Sequence, residues 1–281
     1  MIVIVLVTDT AVLIVGTPAP YRGRGTSVAA AASDVGSATP DLPAGDDTSG
    51  TLPGITPAVP GSARVVGRGP AGTNDLALTF DDGDCERCVA GVVAGVEQTG
   101  AHVTFCPNGV YGPATWDKYA ERIKALIARG QVTICNHTWD HKDLLTLTGA
   151  QVRAELNKNE QWIEHTFGVS ARPFFRPPYG RHDAGVDRIA AQLGYTFVLM
   201  WTGTLGDSIV QAPDYVLNQM RMYAKPGVII LGHVNHPATA SVFEQLAAVA
   251  RQAGLRLVTA AELEAPPPAL PVAGAPARPG G

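Results

Sequence analysis

The chain has 281 residues and a formal net charge of −4, with its seven His left neutral. So mild a charge excludes binding driven by a basic surface, whether to nucleic acid or to an anionic membrane. The length suits one large domain or two small ones, and composition along the chain decides between them.

Residues Ile2 to Gly16 read IVIVLVTDTAVLIVG, a strongly apolar run. Segment 1–16 is expected to be a secretion signal or a membrane anchor, although no Lys or Arg precedes it and Asp9 interrupts it. From Thr17 to Thr73 the chain is mostly Ala, Gly, Pro, Ser and Thr, without periodicity. Such a stretch buries too little apolar surface to offset its ordering entropy, so 17–73 is expected to be a disordered linker. A leader followed by a long linker suits a secreted or cell-envelope enzyme. Residues 74–264 are enough for one well-buried domain, and 265–281 form a Pro/Ala-rich tail.

Inside 74–264, apolar strand-like runs occur at Leu76–Phe80, His102–Cys106, Val132–Cys135, Pro173–Phe175, Thr196–Trp201, Val228–Leu231 and Arg256–Val258. Helical periodicity fills the gaps. Val89, Val92, Val93 and Val96 make one stripe, ended by Gly100; Trp116, Tyr119, Ile123, Leu126 and Ile127 make the next, closed by Gly130. Thr148 with Gln151, and Ser241 with Glu244, read as capping pairs for later helices. Val186, Ile189 and Leu193 precede Gly194, and Tyr215–Tyr223 and Val242–Ala253 follow. Alternating β and α predicts a parallel sheet. About seven strands, with no Gly-x-Gly-x-x-Gly turn after the first, favour a distorted (β/α) barrel in a single catalytic domain.

Four groups of chemistry-bearing residues fall at the predicted strand ends. Thr79-Phe80-Asp81-Asp82-Gly83 delivers two adjacent carboxylates, which are costly to bury unless a cation neutralises them. His137-Thr138-Trp139-Asp140-His141 offers imidazoles at i and i+4, which on a helical turn project to one side. Arg176-Pro177-Pro178-Tyr179-Gly180 is a stiff loop carrying a guanidinium. Leu231-Gly232-His233 adds another His. Asp82, His137 and His141 supply the three ligands a catalytic zinc takes while leaving a position open. Asp81 is then the free carboxylate, suited to act as base toward a metal-activated water. A hydrolytic step would also need an acid on the opposite side, for which His233, at a strand terminus, and His236 are the candidates; the resemblance given next favours His233.

These ordered motifs resemble the signatures of the polysaccharide deacetylases (carbohydrate esterase family 4, the NodB-homology domain), over roughly Asn74 to Glu264. The resemblance implies a distorted (β/α) barrel and a divalent metal, usually zinc, with cobalt or nickel as alternatives. It implies that Arg176 pairs with Asp81, and that Asp207 supports His233. The Tyr179 backbone N–H is assigned to an oxyanion hole. Where the family usually shows Asp-x-x-Asp-Trp, this chain reads Thr204-Leu205-Gly206-Asp207-Ser208. The expected activity is removal of acetyl groups from N-acetylated sugars of peptidoglycan or a chitin-like polymer. The alternatives are an O-acetyl esterase of xylan-like polysaccharide and a non-catalytic glycan-binding descendant. An unrelated zinc amidohydrolase ranks last, for want of a His-x-His pair on the first strand. The expected partner is an acetylated polysaccharide or oligosaccharide, with no nucleic acid, N-terminal anchoring as an option, and a monomeric chain.

The remaining residues read more plainly. Four Cys in an exported protein suggest two disulfides, with Cys106 and Cys135 placed to pair. Cys85-x-x-Cys88 lacks the second pair of a zinc ribbon, and the sequence shows no thioredoxin-like context for it. His102 and His165 read as packing or surface residues, and Trp116 and Trp162 as core. Trp139 and Trp201 fit either core or a sugar face. His182 and Asp183 are candidates to line the cleft.

Overall fold

Strand β2 (Asp75–Asp82) is the axis of the molecule, described here from a computed structural model over residues 61–265. The apolar run 1–16, the expected linker as far as residue 60, and the tail 266–281 lie outside the described residues. Period-2 alternation gives β2 two apolar faces. Leu76, Leu78 and Phe80 pack outward against α1 (Glu86–Thr99) and α7 (Phe243–Gln252), whose Val89, Val92, Val93, Val96, Phe243 and Leu246 are all buried. Ala77 faces the opposite way, into a smaller cluster with Cys106, Cys135, Ile229 and Val258. Thr79 and Asp81 share that inward face by the same alternation.

Each sequential βα unit adds to the sheet in parallel. β3 (Val103–Pro107) pairs along the C-terminal half of one β2 edge, and β9 (Arg256–Val258) takes the N-terminal half of that edge. β8 (Ile229–His233) occupies the other edge, so Asp81 and His233 are register partners. β4 (Val132–Ile134) lies beyond β3, and β7 (Gly203–Thr204) beyond β8. A second sheet runs β1 (Arg64–Val66), β6 (Phe197–Leu199), β5 (Phe174–Phe175). The two meet through a parallel bridge between Asn136 and Phe175. On the far side β6 leads into β7. The result is a distorted (β/α) barrel that is not strictly closed. The connecting helices are α2 (Ala120–Ala128), α3 (Gly149–Phe167), α4 (Ala184–Gln192), α5 (Pro213–Tyr223), α6 (Pro237–Ser241) and, after β9, α8 (Ala260–Glu264). No helix among the described residues is long and apolar enough to cross a membrane.

Several sequence expectations need correction. β1 lies inside the stretch 17–73 expected to be a linker: Ala63 and Val66 are buried, and Arg64–Val66 pairs in parallel with β6. Three residues with one buried apolar side chain leave no periodic trace, so folding begins about ten residues ahead of Asn74. β7 was also unforeseen, being only two residues long. The Thr148–Gln151 capping box is present on α3, but the Ser241–Glu244 pair is not a cap. Ser241 closes α6 and donates to the Ala238 carbonyl, and α7 begins after Val242 without a side-chain cap. A second capping box, Thr259 with Glu262 on α8, was not anticipated.

Candidate metal and catalytic site

The C-terminal ends of β2, β4, β5 and β8 bring the predicted residues together. Asp82 Oδ1 lies 3.4 Å from Nε2 of both His137 and His141, and the three ligand atoms all fall within 4.8 Å of one another. Ligands about 2.0–2.1 Å from a tetrahedral ion sit roughly 3.4 Å apart, so the spacing to Asp82 is that of a metal site. His137 Nδ1 faces the Arg176 carbonyl at 2.8 Å. A carbonyl only accepts, so Nδ1 carries the proton and Nε2 offers its lone pair. Asp82 Oδ1 is buried and has no hydrogen-bond donor, while Asn235 Nδ2 donates to its Oδ2 at 2.7 Å. An orphaned carboxylate oxygen beside two imidazole nitrogens fits a divalent cation.

The imidazole pair does not sit on a helical turn, as the i, i+4 spacing suggested. Thr138 (φ 69°) and His141 (φ 58°) are left-handed, so the segment is an irregular loop. With Asp82 (φ 71°) and Tyr179 (φ 59°), they are the non-glycine residues of positive φ among the described residues, and all four lie at this site. For a β-branched residue such as Thr138 that conformation is strained, and strain of this kind persists only where the surroundings enforce it. Buried amides do so here. Asn108 Nδ2 donates to the His137 and Thr138 carbonyls at 2.6 and 3.0 Å. Asn136 Oδ1 accepts from Thr138 N–H at 2.9 Å and from Asn159 Nδ2 at 3.0 Å. Asn136 in turn donates to Tyr195, whose hydroxyl donates to Glu160 at 2.6 Å. Burial and the Glu160 charge push the Tyr195 phenol up, so it stays a donor.

Arg176 is 0% exposed. Its Nη1 donates to Asp81 Oδ1 at 2.7 Å and Thr79 Oγ1 at 2.8 Å, and its Nε to the Leu199 carbonyl at 2.9 Å. Asp81 is thereby fixed on the interior face, with its other oxygen 3.5 Å from His137 Nε2. Burial alone would raise the Asp82 carboxyl. The neighbouring His137, His141 and His233 outweigh that and hold it well below the usual carboxylate range.

His233 closes β8. Its Nδ1 lies 3.0 Å from Asp207 Oδ1, and its backbone N–H donates to Asp207 Oδ2 at 3.1 Å. The Thr239 hydroxyl also donates to Asp207 Oδ2. Burial pulls the His233 ring down, but the Asp207 hydrogen bond and charge, with Asp81 and Asp82, push it up to about 9. His236 instead stands at the start of α6, without a capping role. Tyr179 is 63% exposed, its ring edge-on to His141 at 4.5 Å between centroids.

Other residues settle into structural roles. His182 pairs with Asp187 at 2.9 Å, and Asp183 caps α4 through the Gly185 and Val186 N–H groups. His102 pairs with Glu262 beside a cleft of about 440 Å³ that also takes in Thr99, Arg251 and Arg256. That cleft is at the N-terminal end of β3 and β9, away from the metal-ligand cluster. Trp116 is core, and its Nε1 donates to the Asp82 carbonyl at 2.8 Å. Lys158 Nζ sits 4.0 Å over the Trp139 ring, and the Arg176 guanidinium 5.7 Å from the Trp201 centroid. Sequence reasoning missed Asn108, Asn136, Asn159, Asn235 and Thr239. Asn136, directly ahead of His137, was the one with a local signal. Both expected disulfides are formed, Cys85–Cys88 and Cys106–Cys135.

The polysaccharide deacetylase family model matches residues 68–198, which contain Asp81, Asp82, both imidazoles and Arg176. An uncharacterised protein of Streptomyces coelicolor is 34% identical over 183 residues, 64% of this chain and 69% of its own. The T48 deacetylase, solved with substrate, is 33% identical with a TM-score of 0.61 over 69% of this chain and 92% of that one. The chain belongs to the polysaccharide deacetylase family. Within it, the peptidoglycan-N-acetylglucosamine deacetylase of Bacillus cereus is 26% identical over 165 residues, 59% of this chain and 58% of its own. A carbohydrate esterase family 4 pseudoenzyme of Bacillus anthracis shares the fold at 21% identity, with a TM-score of 0.63 over 71% of this chain and 68% of that one.

Proposed function

We propose that this polysaccharide deacetylase family member removes acetyl groups from N-acetylated amino sugars of a peptidoglycan or chitin-like polymer outside the cell or in its envelope. The reading rests above all on one arrangement: the Arg176-anchored Asp81 stands beside the Asp82–His137–His141 cluster, and the neighbouring strand supplies His233, backed by Asp207 from the loop after β7. Deacetylase relatives such as the B. cereus enzyme and a chitooligosaccharide deacetylase of Bradyrhizobium point to the same substrate class.

Asp82, His137 and His141 would hold a divalent cation, most simply zinc, which would supply Lewis-acid polarisation and ease deprotonation of water. Asp81 takes the proton of the attacking water, and Arg176 holds its carboxylate aimed. The Tyr179 N–H donates to the oxygen on which negative charge develops. His233 Nε2 then gives its proton to the departing amine. Its Nδ1–H on Asp207 fixes the tautomer and stabilises the imidazolium, so the carboxylate behind the ring favours its holding that proton.

The test is acetate release by the zinc-loaded full chain from chitin oligosaccharides, peptidoglycan fragments and acetylated xylan. Release from an N-acetylated substrate, lost in Asp81→Asn, supports the proposal. Release from acetylated xylan alone identifies an O-acetyl esterase. With zinc bound, no release from any substrate contradicts catalysis and favours glycan binding, the reading prompted by Thr204 and Ser208.

A further inference from the structure

Cys85-x-x-Cys88 is used neither by the metal cluster nor by the proposed reaction. The sequence offered no redox context for it, yet the fold supplies one. β2 turns through Asp82, Gly83 and Asp84 directly into α1, and Cys85 is the N-cap residue of that 14-residue helix. A CxxC pair at a strand-to-helix junction, with its first Cys at the helix N-terminus, is a setting in which thiols and disulfides exchange. The Cα atoms of Cys85 and Cys88 are 5.2 Å apart and the sulfurs are joined. Cys88 is fully buried, whereas Cys85 is half-buried. Both ends of the other disulfide, Cys106–Cys135, are fully buried. Of the four half-cystines Cys85 is the one that is not fully buried, so an incoming thiolate reaches the folded protein there first.

The two bonds also differ in what they constrain. Cys106–Cys135 joins β3 to β4 across a sequence separation of 29, while Cys85–Cys88 spans 3. So short a ring removes less entropy from the unfolded chain, so its value as a staple is the smaller. Its position matters more. The turn from Asp82 to Cys85 contains two residues of positive φ, Asp82 at 71° and Gly83 at 114°. It is held by Trp116 Nε1 on the Asp82 carbonyl, by Asn235 on Gly83 N–H and the Asp82 carboxylate, and by the start of α1. The disulfide secures that last anchor.

We propose that Cys85–Cys88 is a thiol–disulfide exchange site, opened in the folded protein by a dithiol, and that opening it loosens the turn carrying Asp82. A thiolate of the dithiol attacks Cys85 Sγ, forms a mixed disulfide and expels Cys88 as a thiolate, which takes up a proton. The second thiol of the reductant then attacks its own sulfur in the mixed disulfide. Cys85 leaves as a thiolate, and the reductant departs as a cyclic disulfide. Two electrons pass from dithiol to protein, and an oxidised dithiol reverses the exchange.

The experiment treats the folded full chain with graded dithiothreitol, alkylates it and locates modified Cys by peptide mass spectrometry. Cys85 and Cys88 are expected to be modified at dithiol concentrations on the order of tenfold or more below those needed for Cys106 and Cys135, with far-ultraviolet dichroism unchanged. Simultaneous opening of both bonds, or opening only on unfolding, overturns the exchange site. In Cys88→Ala, glutathione disulfide is expected to form a mixed disulfide with Cys85, whereas in Cys85→Ala it leaves Cys88 unmodified. Equal modification of the two variants overturns the assignment of Cys85 as the attacked sulfur. Cobalt titration of the oxidised protein and of Cys85→Ser/Cys88→Ser reads the coupling to Asp82. Weaker cobalt binding in the double variant supports it, and identical binding overturns it.

Discussion

Asp207 converts a buried His233 from a ring that would lose its proton into one that keeps it. Replacing Asp207 by Asn removes the charge and leaves a neutral amide against Nδ1. The His233 pKa should then fall from about 9, and the alkaline limb of the zinc-loaded enzyme's pH–rate profile should move to lower pH. An unmoved limb would assign the titration to another group. The sign for stability follows from the same shift. A ring raised above its ordinary 6.5 contributes its full stabilisation below that pH, and loses it as pH rises through about 9. Asn235 acts through Asp82, donating to Oδ2 while its own oxygen holds Gly83 N–H. Asn235→Ala should weaken metal affinity about 10- to 100-fold, the usual cost of removing a partner behind a ligand. Isothermal titration with zinc reads it, and unchanged affinity would reduce Asn235 to a turn-stabilising residue.

The elements show how an early strand was hidden. β1 has Val66 buried and pairs with β6, and the Leu199 carbonyl at the end of β6 accepts from Arg176. A fragment beginning at Asn74 should therefore be less stable than one beginning at Thr48 by at least about 2 kcal/mol, from Val66 burial alone. Urea denaturation of both fragments measures this, and equal midpoints would show β1 to be dispensable. The long α1 was legible because its apolar stripe runs over several turns and ends at Gly100, and α3 because Thr148 and Gln151 cap its start. The site motifs were legible because each strand end carries its polar residue immediately after an apolar run. The loop between His137 and His141 was not, since its shape is set by Asn108, Asn136 and Asn159, which come from separate parts of the chain. Spacing of i, i+4 could not distinguish a helical turn from a loop bent through left-handed residues. Nor could composition separate a three-residue strand from the linker around it.

At the scale of the molecule, β2 joins the core to the chemistry. Its outward Leu76, Leu78 and Phe80 anchor it against α1 and α7, and its last two residues face the two imidazoles and Arg176. The buried Asp82 carboxylate and the two imidazole lone pairs beside it concentrate negative potential that a cation relieves, so metal binding should favour the folded state. At a free zinc concentration of a thousand times Kd, the gain is about 4 kcal/mol. Chelation should lower Tm by on the order of 10 °C for a domain of this size. Scanning calorimetry with and without chelator tests this, and an unchanged Tm would contradict a preformed site.

In the proposed reaction the adjacent carboxylates divide the labour, with Asp82 holding the metal and Asp81 moving the proton. Zinc content and acetate release, measured together on Asp81→Asn and Asp82→Ala, test it most directly. The prediction is that Asp81→Asn retains zinc near one equivalent while hydrolysis falls by at least about 10²-fold. Asp82→Ala should lose both. Loss of zinc and activity together in both variants would contradict the assignment.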